Sequence, residues 1–155
     1  MPPATIEPDV RGTRRTTTAD SEYAEWDYAG YYVADFESSI NRELDRLASL
    51  PANWDREGAP RINPAIIQAA REFIARLPSG IASIPAVVPS AAGNLQFEWN
   101  AGRRSLELEI ESPSTIHYLK WDPNAGVEEE DTFAIRDTDP AEYLIAWFMR
   151  GVDYV

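Results

Sequence analysis

Apolar residues recur along this chain with two different periods, and the change from one to the other divides it. Phe36, Ile40, Leu44 and Leu47 fall at i, i+4, i+8 and i+11, one face of an α-helix, with Glu37, Asn41, Arg42, Asp45 and Arg46 elsewhere on the wheel. The spacing predicts a helix from about Ala34 to Leu50, ended by Pro51, whose ring removes a backbone donor and disfavours helical geometry in the residue before it. Asn63 and Pro64 pair a capping side chain with a proline at the first helical position. Ile66, Ile67, Ala70, Phe73, Ile74 and Leu77 then form a broad apolar face up to Pro78. From Leu95 the period becomes two. Leu95, Phe97 and Trp99 alternate with Gln96 and Glu98, and after an Ala-Gly turn Leu106, Leu108 and Ile110 alternate with Glu107, Glu109 and Glu111.

That hairpin is followed by "STIHYLKW" as a third strand, "PNAG" as a turn and "EEEDTFAIR" as a fourth strand. "PAVVP" upstream is too rich in proline for a central strand but suits a short edge strand. Asp139-Pro140-Ala141-Glu142 combines a capping residue, a first-turn proline and a glutamate three residues after the cap, opening a last helix with Leu144, Trp147 and Phe148 on one side and Gly151 as its expected stop. The predicted class is therefore α+β: two N-terminal helices, a four-stranded antiparallel meander with room for the extra edge strand, and a C-terminal helix, all helices on one face of the sheet. The other face should be acidic. Residues 1–20, rich in proline and threonine and without apolar periodicity, read as a disordered tail; 21–33 as an arm of interleaved aromatic and acidic residues; 34–155 as a single domain without internal repeats.

Composition fits one packed domain: of 155 residues, 44% are hydrophobic and 17 are aromatic. The chain has no cysteine and one histidine, which excludes disulfide frameworks, thiolate metal sites, thiol nucleophiles and multi-histidine metal centres. No apolar run approaches the roughly 20 residues of a membrane span, and the first residues lack the hydrophobic core of a signal peptide, so a soluble, cytoplasmic protein is expected. The net charge of −12 opposes direct binding to nucleic acid. It is concentrated: residues 21–40 contribute −5 and residues 121–140 contribute −6, leaving the remainder close to neutral.

Three places on the chain could carry function. The loop "LPANWDREGAP" sets Asp55 and Glu57 beside Trp54, a pairing suited to acid–base chemistry or recognition. It is equally suited to a hairpin in which Trp54 folds back on the helix pair, Asn53 or Asp55 caps a turn and Gly58 supplies a positive φ. On the polar sheet face, Glu98, Glu107 and Glu109 lie on adjacent strands, and His117 joins them if the third strand has the right register. Such a set could hold a divalent ion or act as an acid–base pair. The third strand leaves this open, since Ile116 and Tyr118 fall on one side and His117, Leu119 and Trp121 on the other. Arg103, Arg104 and Lys120 offer the plainer alternative of cross-strand ion pairs with these glutamates. Finally, the run Glu128, Glu129, Glu130 and Asp131 reads either as a solvated turn or as a docking patch for a basic partner, joined by the aromatic arm with Trp26, Tyr28, Tyr31 and Tyr32.

The segments "LPANWDREGAP" and "PAVVPSAAGNLQFEWNAGRRSLELEIE" resemble a set of small uncharacterised bacterial proteins. These carry an Asn-Trp-Asp-x-x-Gly-Ala loop, a helix, and a Pro-x-Val-x-Pro segment leading into a hairpin with Glu-Trp. The resemblance spans about Leu44 to Glu111, with Trp54 and Trp99 in matching contexts, and departs in the valine spacing and in the aromatic arm. It implies this fold without an activity.

No phosphate-binding glycine loop, GxSxG elbow, HExxH or dinucleotide fingerprint is present. The reading these features support is a non-enzymatic, cofactor-free acidic module that binds the basic surface of another protein, as an inhibitor, antitoxin or immunity-type protein, or accessory subunit of a bacterial system does. A nucleic-acid mimic is a special case of it. The alternative is a carboxylate-based or metal-assisted enzyme using Glu98, Glu107, Glu109 and His117.

Overall fold

The computed structural model describes residues 36–78 and 83–152, and these group as one compact unit. Helix α1 is helical over 36–48 within these bounds, followed by α2 (Pro64–Arg76), β1 (Ala86–Pro89), β2 (Leu95–Ala101), β3 (Arg104–Ser112), β4 (Thr115–Asp122), β5 (Val127–Ala134) and α3 (Thr138–Val152). The strands form a single antiparallel meander in chain order. The proline-flanked segment supplies the extra edge strand: Val87 pairs with Phe97 and is buried, while Pro89 ends the strand, where a missing N–H costs nothing.

Alternation builds the core. Leu95, Phe97 and Trp99 of β2 and Leu106, Leu108 and Ile110 of β3 are buried on the helix side. There they meet Ile40, Leu44 and Leu47 of α1, Ile66, Ala70, Phe73 and Ile74 of α2, and Ala141, Leu144, Ile145 and Phe148 of α3. Phe73 stacks on Phe97 with ring centroids 6.1 Å apart, fixing α2 over β2. Each such fully buried side chain contributes about 1.5–3 kcal/mol of transfer free energy. Trp99 satisfies its indole N–H on the Ser83 carbonyl at 3.0 Å, so its burial leaves no polar atom unpaired.

Asn63 caps α2 as expected, its side chain accepting the Ala65 N–H at 2.9 Å. The start of α3 differs. The helix begins at Thr138, and Asp137, not Asp139, does the capping by accepting the Asp139 N–H at 3.3 Å. Pro140 then occupies the third helical position, still in the first turn where no donor is needed. Nor does Gly151 stop the helix, which continues to Val152. A Cβ at Gly151 would overlap the Arg104 guanidinium, so the glycine serves close approach between α3 and β3.

Candidate functional site: the open face of the sheet

The register decides which strand residues share the face that none of the described helices covers. Glu98 of β2 pairs with Glu107 of β3, and Gln96 with Glu109. Glu107 pairs in turn with Leu119 and Glu109 with His117, while Ser105 pairs with Trp121. On β5, Leu119 meets Glu130 and Trp121 meets Glu128. One face thus carries Glu98, Glu107, Glu109, Glu128 and Glu130, with His117, Leu119 and Trp121 running through the middle along β4.

This answers the question that the third strand left open, and in an unexpected way. His117 does lie beside Leu119 and Trp121, but that side is the glutamate side. It is Ile116, Tyr118 and Lys120 that face the helices, because Tyr118 pairs with Leu108 and Ile116 with Ile110. His117 Nε2 lies 3.4 Å from Glu130 Oε2. Gln96 Nε2 donates to Glu98 Oε1, and Asn94 Nδ2 to Glu109 Oε1 at 3.5 Å. Glu107 sits at the centre of the acids. Burial pushes its carboxyl above the ordinary 4.5, and the neighbouring Glu98 and Glu109 push it further, against a smaller opposing pull from His117. Trp121 is 37% exposed, a large indole presented to solvent.

The cross-strand ion pairs expected between these glutamates and Arg104 or Lys120 do not form, since both basic residues have the opposite parity and point toward α3. Arg104 Nη1 binds Asp122 Oδ2 at 2.5 Å, Nη2 donates to the Trp147 carbonyl, and the guanidinium lies 3.8 Å from the centre of the Trp147 ring. Lys120 is only 6% exposed and sits 5.0 Å from the Trp147 ring centre, with Nζ 3.4 Å from Glu129 Oε2. Asp122 also accepts the N–H groups of Asn124 and Ala125, which organises the turn into β5. The β3–β4 pattern hid this cluster, because charged residues at Lys120 and Asp122 look solvent-facing until their partners are known.

The acidic run is no turn. Glu128, Glu129, Glu130 and Asp131 all lie within β5, and strand alternation splits them. Glu128 and Glu130 join the open face, whereas Glu129 and Asp131 face the helix side opposite Lys120 and Tyr118. Tyr118 Oη donates to Glu129 Oε1 at 2.7 Å. Burial, with the Glu129 carboxylate second, pushes the Tyr118 phenol up to about 12, and the same hydrogen bond holds Glu129 below its ordinary value.

The loop after α1 closes on itself. Asn53 donates its N–H to the Ala59 carbonyl at 2.7 Å and accepts the Gly58 N–H at 2.7 Å on its side chain. Asp55 Oδ1 accepts the N–H groups of Glu57 at 2.9 Å and Ala59 at 3.0 Å, which holds its carboxyl below the ordinary range. Asn53, Arg56 and Gly58 all take positive φ, and only the last is a glycine. Trp54 anchors this loop through a hydrogen bond from its indole N–H to the Pro60 carbonyl at 3.1 Å, while Ala59 and Ile62 supply the buried apolar contacts. Glu57 is exposed; Asp55 is engaged in holding the turn.

Among the described residues, no group of three histidine or carboxylate side chains is arranged to hold a metal ion, so the Glu98, Glu107, Glu109 and His117 set shares a face without forming a chelate. Trp26, Tyr28, Tyr31 and Tyr32, with the tail and arm assigned to 1–33, lie outside the described residues. No helix among those described is long and apolar enough to cross a membrane. Compared with family models, with curated proteins and with solved structures, the chain matches none.

Proposed function

We propose that this protein is a non-enzymatic acidic docking module that binds a basic surface of a partner protein through the open face of its sheet. An inhibitor, an immunity-type protein or an accessory subunit would use such a face in the same manner. The observation that carries the reading is the arrangement along β4: Leu119 and Trp121 in the middle, five glutamates around them, and every basic residue of β3 and β4 except His117 turned to the other side. An apolar strip with an aromatic anchor inside a charged rim is the common anatomy of a protein interface. Burial first, and then the neighbouring Glu98 and Glu109, raise the Glu107 carboxyl, and an incoming cation offsets the repulsion from those two neighbours.

The test is affinity capture from the native host with the wild-type chain, Trp121→Ala, and the double variant Glu98→Lys, Glu109→Lys. A stoichiometric basic partner should be retained by the wild type, weakened about tenfold or more by Trp121→Ala and lost with the charge reversal. Equal recovery by all three proteins would remove the open face from the binding surface.

A further inference from the structure

The sheet has two edges among the described residues, and they are built differently. β1 is four residues long and ends in Pro89, so it offers little to a pairing strand. β5 has eight residues, contains no proline, and keeps unbroken register with β4 from Val127 to Ala134. Three hydrogen bonds show which of its backbone groups turn away from β4. Ile135, one step beyond the pair Thr115–Ala134, donates its N–H inward to Ser114 O at 2.9 Å. Inward and outward groups alternate along an antiparallel strand, so the odd-numbered residues pair with β4 and the even-numbered ones face outward. Accordingly, the Thr132 N–H is taken by the Asp131 carboxylate at 2.8 Å, and the Ala134 carbonyl by the Asp137 N–H at 2.9 Å. The N–H and C=O of Glu128 and Glu130 remain directed to the outer edge of β5, which is the last of the described strands.

We propose that this edge receives an extended, lysine- or arginine-rich segment of the partner protein as an added strand, a docking mode that rests on the binding reading above. Long free edges invite pairing, and like charges are one means of preventing it. Four consecutive acids prevent it selectively. A second copy of β5 would set glutamates against glutamates, and an acidic or neutral strand gains nothing from them. A cationic strand is favoured on both faces, meeting Glu128 and Glu130 on one side and Glu129 and Asp131 on the other. Half-buried Phe133, 6.2 Å from the Tyr118 ring, would seat an apolar side chain at the far end of the same strand. In such strand addition the main chain provides affinity and alternate side chains provide selection.

The probe is a fluorescent peptide matched to the eight residues of β5, alternating lysine with valine, used against the full chain. Two controls accompany it: the same peptide N-methylated at alternate residues, which keeps its charge but cannot pair, and a version with glutamate in place of lysine. Binding is read by anisotropy, and amide exchange is followed at Glu128 and Glu130. The parent peptide should bind and protect both amides, the N-methylated one should bind on the order of tenfold more weakly or worse, and the glutamate peptide should not bind. Equal binding of the N-methylated peptide, or no protection at Glu128 and Glu130, overturns the edge and leaves charge alone. Failure of the peptide while Trp121→Ala still weakens partner capture and the charge reversal still abolishes it sinks only the edge; failure of both tests sinks the binding reading itself.

Discussion

Glu107 shows how one side chain registers the state of a whole face. Its folded carboxyl lies above the ordinary value of 4.5, chiefly through burial and then through Glu98 and Glu109. As pH rises past about 4.5 the unfolded chain ionises first, so Glu107 costs the folded state stability, fully so above its raised folded value. Below 4.5 both states are protonated and the cost vanishes. Glu107→Gln should therefore raise stability at neutral pH by about 0.5 kcal/mol or less, the range of a half-exposed substitution, with the gain closing in acid. Urea midpoints for both proteins across this window check it, and a variant less stable than wild type at pH 7 would contradict the account. Glu98, Glu107 and Glu109 could be read from the sequence because strict alternation with buried neighbours fixes their side, whereas Glu128 and Glu130 could not, since four consecutive acids in β5 carry no alternation. Lys120 and Asp122 could not. In β4 both sides carry comparable numbers of apolar residues, and only pairing with β3 decides which side meets the helices.

Between elements, the contact of α3 with β3 depends on a space rather than a side chain. A glycine inside a helix costs about 1 kcal/mol relative to alanine, so Gly151 needs a reason to be in α3. Arg104 supplies it. The guanidinium is held by Asp122, by the Trp147 carbonyl and by the Trp147 ring, and cannot swing aside to admit a methyl group without giving up those contacts. Gly151→Ala should cost about 1–2 kcal/mol in the wild type through overpacking. With Arg104→Ala already present, itself costing about 2–4 kcal/mol by stranding Asp122, the same change should be neutral or slightly stabilising. A double-mutant cycle in urea measures the difference; an equal cost in both backgrounds would show that Arg104 is not the obstacle. From sequence, Gly151 read as a helix stop, since a glycine near the end of an apolar stripe has that meaning far more often. The loop after α1 was the better-marked element, because Asn53, Asp55, Gly58 and Asn63 each carry local turn chemistry that needs no distant partner.

For the whole molecule, the net charge of −12 matters less than its separation. The sheet spends Arg104 and Lys120 beneath α3, which leaves the open face with a field of one sign. Partner association by such a face should slow as salt rises from about 0.05 to 0.3 M, where the screening length contracts to a few ångströms.

Lys120 is also the only lysine in the chain, and at 6% exposure, hydrogen-bonded to Glu129 beside Trp147, it leaves the described surface without a reactive side-chain amine. Acylating reagents, and enzymes that write acyl or ubiquityl marks on lysine, meet a protected target. Reaction at Lys120 requires α3 to lift from β4, so its rate is a clock for that opening. Mass spectrometry of an acylation time course should find Lys120 orders of magnitude slower than an exposed lysine, and faster in Arg104→Ala, where α3 has lost one of its ties to the sheet while Leu144 and Phe148 still hold it.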